Sequence, residues 1–243
     1  MSTTASSKRF PVIQIAGHRH QSEKTECEDV SFIKETEDIV FLGLADGQSG
    51  KKHCVEGGAR ILQEMFNFFL IHEYSLIVNS YLDETQFILT RQIRNALQAL
   101  SKEYNAPTTE FSSTLVIIVV NKKNNRYISA HVGDGTIAGL THEGDLKIIS
   151  MPENGITNRY TWLTTSPDVL VHLRINFGSL SNYKAIYLLS DGAQALMMSQ
   201  NELKSGDDAA IERRLKLIKP CDDATCIIYF CDEHNGHSLL RNR

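Results

Sequence analysis

Four aspartates share one setting, the junction between an apolar run and a turn. Asp29 immediately precedes Val30–Ile33. Asp46 closes Ile39-Val40-Phe41-Leu42-Gly43-Leu44-Ala45 and is followed by Gly47. Asp191 follows the run Ala185–Leu189 and is itself followed by Gly192, and Asp222, with Asp223 beside it, precedes Ala224–Phe230. A lone Asp-Gly is ordinarily a turn, because Asp tolerates turn geometry and Gly supplies a positive φ. Two Asp-Gly pairs that each cap a very apolar run are harder to read that way. Carboxylates at strand ends along one sheet edge can converge on a single point, where they raise each other's pKa unless cations compensate. Oxygen-only donors suit hard divalent ions such as Mg²⁺ or Mn²⁺. Spacing alone leaves a shared metal site and separate turns both open.

The elements that must position these residues are legible from periodicity. Residues 11–16 read as a first strand, followed by Val30–Ile33 and Asp38–Ala45 around a Glu35-Thr36-Glu37 turn. Two long helices follow. Ile61, Leu62, Met65, Phe66, Phe69 and Leu70 form one apolar stripe, and Leu89, Ile93, Ala96, Leu97 and Leu100 a second, with Asp83 and Gln86 resembling a capping pair. Strands are predicted at Ser113–Val120, Tyr127–Val132, Thr136–Thr141, Leu146–Met151, Val169–Ile175, Ala185–Leu189 and Ala224–Phe230, with helices near Ala193–Met198 and Asp208–Leu217. The turn-rich stretch 152–167 reads as a mobile flap. Strands, then helices, then strands again predict α+β with antiparallel sheets rather than βαβ alternation. One domain over residues 11–232 is expected, with a flexible tail at 1–10 and a polar tail at 233–243.

Composition narrows the function classes. The 243 residues are 42% hydrophobic, enough for a real core without staples. A net charge of −4 gives no basic excess to neutralise nucleic-acid phosphates. Cys27, Cys54, Cys221, Cys226 and Cys231 contain no CxxC pair, and the last three are spaced by five, which alternates faces on a strand, so reduced thiols are expected rather than zinc. No apolar run reaches membrane length and the first nine residues lack a signal-like core, so a cytoplasmic protein with no membrane contact is expected. Gly47-Gln48-Ser49-Gly50-Lys51-Lys52 lacks phosphate-loop spacing, and Ser190 sits in no G-x-S-x-G elbow. His18 and His20 read as solvated loop histidines, His131 as a packed strand histidine, and Trp162 as core cover or a substrate rest.

An ordered set of motifs carries a resemblance. Lys24-Thr25-Glu26-Cys27-Glu28-Asp29, Ala45-Asp46-Gly47-Gln48-Ser49-Gly50, Ser112-Ser113-Thr114, Gly133-Asp134-Gly135, Ser190-Asp191-Gly192 and Asp222-Asp223-Ala224-Thr225 resemble the signature of the metal-dependent type-2C protein serine/threonine phosphatases. Gly57-Gly58-Ala59-Arg60 and residues 158–164 are most similar to a compact, mainly bacterial branch. The resemblance implies a four-layer α-β-β-α sandwich with two central antiparallel β-sheets flanked by helices. It implies two Mn²⁺ or Mg²⁺ ions, with Asp46 bridging, the Gly47 carbonyl, Asp29, Asp191 and Asp222 completing the site, and Asp134 holding a third, weaker ion. Direct attack by a metal-bridging water, without a phosphoenzyme, follows from that arrangement. A phosphorylated protein substrate, an opposing Ser/Thr kinase, a signalling role and a monomeric state are implied with it.

Three departures favour an alternative, a catalytically weak or inactive phosphatase-like binding domain. Lys24 stands where the family usually has a phosphate-gripping Arg, and Lys lacks the bidentate fork. Gln48 stands where some relatives carry a His suited to protonating the leaving group. Asp223 stands where Asn is common, where an extra carboxylate would either repel phosphate or face solvent.

Overall fold

Alternation within the strands explains the layering. The structure is a computed structural model that describes residues 10–23, 26–71, 82–154, 160–205 and 207–231. Strands β1 (Val12–Ile15), β10 (Ala224–Phe230), β9 (Tyr183–Leu189), β6 (Thr136–Thr141) and β7 (Leu146–Ser150) form one five-stranded sheet in that spatial order. Strands β2 (Asp29–Glu35), β3 (Ile39–Asp46), β4 (Leu115–Asn121), β5 (Arg126–Val132) and β8 (Arg174–Ser179) form the other. Every pairing is antiparallel.

Successive strand residues point to opposite faces, so each central strand feeds two cores. Val40, Leu42, Leu44, Val116, Ile118 and Val120 face Ile186, Leu188 and Ile227 between the sheets. Phe41, Ile117 and Val119 face outward onto Ile61, Leu62, Met65 and Phe69 of helix α2 (Cys54–Ile71) and Leu89, Ile93 and Leu97 of helix α3 (Leu82–Tyr104). On the far side, Tyr187, Leu189 and Ile228 pack against Leu196 of α5 (Ala195–Ser199), Leu203 of α6 (Asn201–Ser205), and Ile211 and Leu215 of α7 (Asp208–Ile218). The result is the expected four layers. Full burial of Phe41 and Leu42 contributes about 1.5–3 kcal/mol each through apolar surface removed from water.

Several expectations are corrected. Val169–Ile175 is not one strand: Val169–His172 forms a short helix, α4, and β8 begins at Arg174. His18 and His20, read as loop histidines, lie in helix α1 (His18–Glu23). Asp83 lies inside α3, which starts at Leu82, so it is not that helix's cap, and the Gln86 side-chain amide donates to the Leu173 carbonyl at 2.8 Å. Phe10, placed in the flexible tail, is buried and stacks on Tyr229 with ring centroids 5.7 Å apart. The rest of the tail at 1–9, and the C-terminal tail at 233–243, lie outside the described residues. Among the described residues, no helix is long and apolar enough to cross a membrane.

Candidate metal centre

Strand register brings the acidic residues to one end of the sandwich. Asp29 and Asp46 are directly opposed across β2 and β3. In the other sheet Leu189, at the end of β9, pairs with both Thr136 and Cys226. The turns carrying Asp134, Asp191 and Asp222 therefore leave three adjacent strands at the same edge. The Ser112-Ser113-Thr114 motif holds Asp46 in place. The Asp46 N–H donates to Thr114 Oγ1 at 2.9 Å, and the Thr114 N–H donates to the Asp46 carbonyl at 2.8 Å. Gly47 bridges to Ser113, and its N–H donates to the Glu28 carbonyl at 3.2 Å.

Electrostatics register this convergence. The Asp46 carboxyl is pushed well above the ordinary carboxylate range, first by burial and then by the charges of Asp29, Asp191, Asp222 and Asp134. Asp29 is 5% exposed. Burial pushes its carboxyl up to about 7; the Thr225 and Ser190 hydroxyls ease the shift, while Asp223 and Asp191 add to it. Asp191 is pushed up to about 6 by burial and by Asp134 and Asp222. Both carboxylate oxygens of Asp29, and Oδ1 of Asp191, are buried with no well-formed hydrogen bond among the described residues. Buried polar atoms normally have partners, so orphaned oxygens on mutually repelling carboxylates need an explanation. A divalent cation supplies one, and this all-oxygen set fits Mg²⁺ or Mn²⁺. Asp29, Asp46, Asp134, Asp191 and Asp222 are thus brought together. Lys24 lies outside the described residues.

Asp223 behaves differently from both sequence expectations. It neither faces solvent nor offers a spare charge: it is 1% exposed and accepts from Gly17 N–H at 2.7 Å, His20 Nδ1 at 2.8 Å and Glu28 N–H at 2.6 Å. Burial raises its carboxyl, but the bonds from His20, Gly17 and Glu28 outweigh this and hold it below the ordinary range. His20, expected to be solvated, is 3% exposed within α1. Single ligand atoms of His20, Asp222 and Asp223 lie within 4.8 Å of one another. Because the Asp223 oxygens are already engaged, that trio reads better as a clamp than as a metal site. Gly17 completes it by close approach, since a Cβ there would lie 2.4 Å from the Asp222 carbonyl carbon. Sequence reading missed this clamp, whose partners are about 200 residues apart along the chain.

The remaining candidates fall beside the carboxylates. His131 is fully buried and its Nδ1 lies 2.8 Å from Ser150 Oγ. Burial and Arg174 lower its pKa well below the ordinary value. Gln48 is exposed at the site's edge. The segment expected to be a mobile flap is anchored in its described part. Thr164, 1% exposed, donates through its N–H to the Ser113 carbonyl at 2.9 Å, and the Thr161 hydroxyl donates to the Asp134 carboxylate. Trp162 packs against the helix-side core and stacks on His172.

Known proteins carry the same arrangement of elements. The family model described as protein phosphatase 2C matches residues 16–228. The serine/threonine phosphatase Stp1 from Staphylococcus aureus is similar at a TM-score of 0.66 and 14% identity, over 93% of this chain and 96% of that one. RsbX in complex with magnesium is similar at a TM-score of 0.59 and 16% identity, over 92% of this chain and 96% of that one. PppA, a regulatory component of T6SS in Pseudomonas aeruginosa, gives 0.59 and 17%, over 90% and 96%. At these identities the likeness is one of fold. No curated protein matches the sequence directly.

Proposed function

The chain belongs to the protein phosphatase 2C family, and on that premise we propose that it is a metal-dependent protein serine/threonine phosphatase that hydrolyses phosphomonoesters. The observation that carries the reading is Asp46, set among four other carboxylates beside an Asp29 whose buried oxygens have no well-formed hydrogen bond among the described residues. Such a cluster is costly in a folded protein unless cations neutralise it.

In this reading Asp46, Asp29, the Gly47 carbonyl, Asp191 and Asp222 would hold two Mn²⁺ or Mg²⁺ ions, with Asp46 shared between them, and Asp134 would hold a third, weaker one. When bound, the ions supply activated water and charge neutralisation at the phosphoryl oxygens. The chain's own work is positional. Thr114 fixes the Asp46 backbone from both sides, and the Asp223 clamp fixes the Glu28–Asp29 junction against the second sheet. Hydrolysis without a protein nucleophile suits phosphoryl transfer, in which positioning and charge neutralisation do most of the catalysis. Lys24 grips the substrate phosphate, and the substrate is a phosphorylated protein whose modification a Ser/Thr kinase installs, in a monomeric, cytoplasmic signalling enzyme. RsbX, which is solved with magnesium, supports a divalent ion here as well.

The alternative of an inactive binding domain loses one of its supports, because the Asp223 carboxylate is engaged by Gly17, His20 and Glu28. Lys24 and Gln48 remain in its favour. The deciding experiment compares wild type with Asp46→Asn on para-nitrophenyl phosphate and a phosphothreonine peptide in Mn²⁺. Hydrolysis by the wild type and its loss in the variant are expected; equal rates would overturn the reading. A folded wild type that binds no Mn²⁺ by calorimetry would favour the binding domain.

A further inference from the structure

Where the N-terminal segment meets the end of α7, the surface folds in on a cavity of about 320 Å³. Its floor is Ile15, the last residue of β1. His18 and Gln21 of α1 form one wall, and Lys216, Lys219 and Pro220, at and just past the end of α7, form the other. The walls are fixed. The His18 N–H donates to the Pro220 carbonyl at 3.0 Å and joins them, and the Gln21 side-chain amide donates to the Ala16 carbonyl at 2.5 Å. Ligand pockets run from about 300 to about 1,000 Å³, so this one suits a single side chain rather than a large cofactor.

The charge of the lining is one-sided. It holds two lysines, a histidine and a glutamine and no carboxylate, in a chain with 29 acidic against 25 basic residues. Helix stability accounts for Lys216, which pairs with Glu212 one turn earlier at 2.5 Å. It does not account for Lys219. That residue has φ +51° and ψ +69°, the left-handed helix stop where glycine is the usual choice. The helix dipole favours a cation anywhere in the last turn and does not ask for one at this strained position. Among the described residues the Lys219 ammonium makes no ion pair.

The cavity lies beside the carboxylate centre. Gly17, whose N–H donates to Asp223, directly precedes His18. Pro220 precedes Asp222 by two residues, at most about 7 Å of chain. An extended substrate advances about 3.3 Å per residue, so with its phosphate at the carboxylate centre, side chains about two to four residues away reach the cavity. We propose that the cavity is a second anion site for the substrate, taking a carboxylate or phosphate carried on the same chain a few residues from the phosphorylated side chain. Lys219 and Lys216 supply the charge and His18 a directed hydrogen bond. The substrate class is then an acidic or multiply phosphorylated protein segment, an inference that rests on the phosphatase reading.

The probe is a fluorescein-labelled peptide in which a non-hydrolysable phosphonate replaces phosphothreonine, made with glutamate, phosphoserine or alanine about three residues to either side. It is titrated with the full chain in Mg²⁺ while anisotropy is followed. Wild type should bind the glutamate or the phosphoserine peptide about tenfold tighter than the alanine peptide, the scale of one charge-assisted hydrogen bond; which of the two gains more identifies the group the cavity takes. The preference should shrink as salt screens partly exposed charges. Lys219→Gly removes the ammonium yet suits the left-handed backbone, so it should fold and lose most of the preference. Lys216→Gln should lose less, because Glu212 already shares that ammonium. A wild type that binds all three peptides alike overturns the proposal, as does a preference that survives in the Lys219→Gly, Lys216→Gln double variant. Hydrolysis of the matching phosphothreonine peptides in Mn²⁺ separates the two readings. Hydrolysis without any binding preference sinks the cavity and leaves the phosphatase standing; a Lys219-dependent preference without hydrolysis keeps the anion site and sinks the phosphatase.

Discussion

Asp29 and Asp223 are both buried aspartates at the same end of the sandwich, at 5% and 1% exposure, yet their carboxyls end up shifted in opposite directions. Asp223 accepts two main-chain N–H groups and a histidine, and its carboxyl is held below the ordinary range. Asp29 has orphaned oxygens, and its carboxyl is pushed up to about 7. Burial therefore does not decide what a carboxylate is for; the donors aimed at it do. One aspartate welds the N-terminal segment to the second sheet. The other is left wanting a positive partner.

The contrast can be broken most forcefully at the clamp. Asp223→Ala leaves His20 and two main-chain N–H groups without their acceptor, and should cost about 3 kcal/mol of stability, since a buried donor left without its acceptor costs about 1–3 kcal/mol. Urea unfolding monitored by circular dichroism would register it, and a midpoint within error of wild type would contradict the clamp. Asp29→Asn should act on function instead. Mn²⁺-dependent phosphate-ester hydrolysis should fall by about 100-fold, the scale of removing one electrostatic contributor from an active site, while the metal-free thermal midpoint rises because a repulsive charge has gone. A variant that is both active and less stable would erase the distinction.

The two residues should also titrate in opposite directions. Asp29 and Asp191, at about 7 and about 6, retain protons in the folded chain that the unfolded chain has already released. Unfolding free energy then falls as pH rises. The stability associated with these groups is full below the ordinary carboxylate value and is lost by the time pH passes about 7. Thermal midpoints of the metal-free protein should therefore decline between about pH 5 and about pH 8, the window set by proton linkage. Saturating Mg²⁺ should flatten the decline, because ions replace the protons. The Asp223 contribution runs the other way, present above the ordinary carboxylate value and lost as pH falls through its lowered one. The gentlest probe is Asp223→Asn, which preserves shape and one acceptor oxygen and should cost about 1 kcal/mol, the net worth of an ordinary hydrogen bond. An Asn variant as damaged as the alanine would show that charge rather than geometry holds the clamp.

Much of the fold was legible because strand periodicity is local. Phe41 and Leu42 declare a strand buried on both faces, and the stripe from Ile61 to Phe69 declares a helix packed on it. Val169-Leu170-Val171 misled for the same reason. Its β-branched apolar character reads as strand, yet only Val169 enters the core, and Val171 is 74% exposed on a single helical turn. The acidic motif was legible as a set of strand ends. The division of labour among its carboxylates was not, nor was the anchoring of Thr161 and Thr164, because both depend on contacts across distant loops.

From the sequence alone came the alternation that selects buried faces, the order of strands and helices, and aspartates at the ends of apolar runs, since these depend on neighbours a few positions away. Only the tertiary structure decided which aspartate is satisfied. The donors that quiet Asp223 come from Gly17, His20 and Glu28, whereas the Thr225 and Ser190 hydroxyls only ease the Asp29 shift and make no well-formed bond to its oxygens. A hydrogen bond depends on distance and direction in space, and residues some two hundred positions apart acquire both only when the two sheets pack.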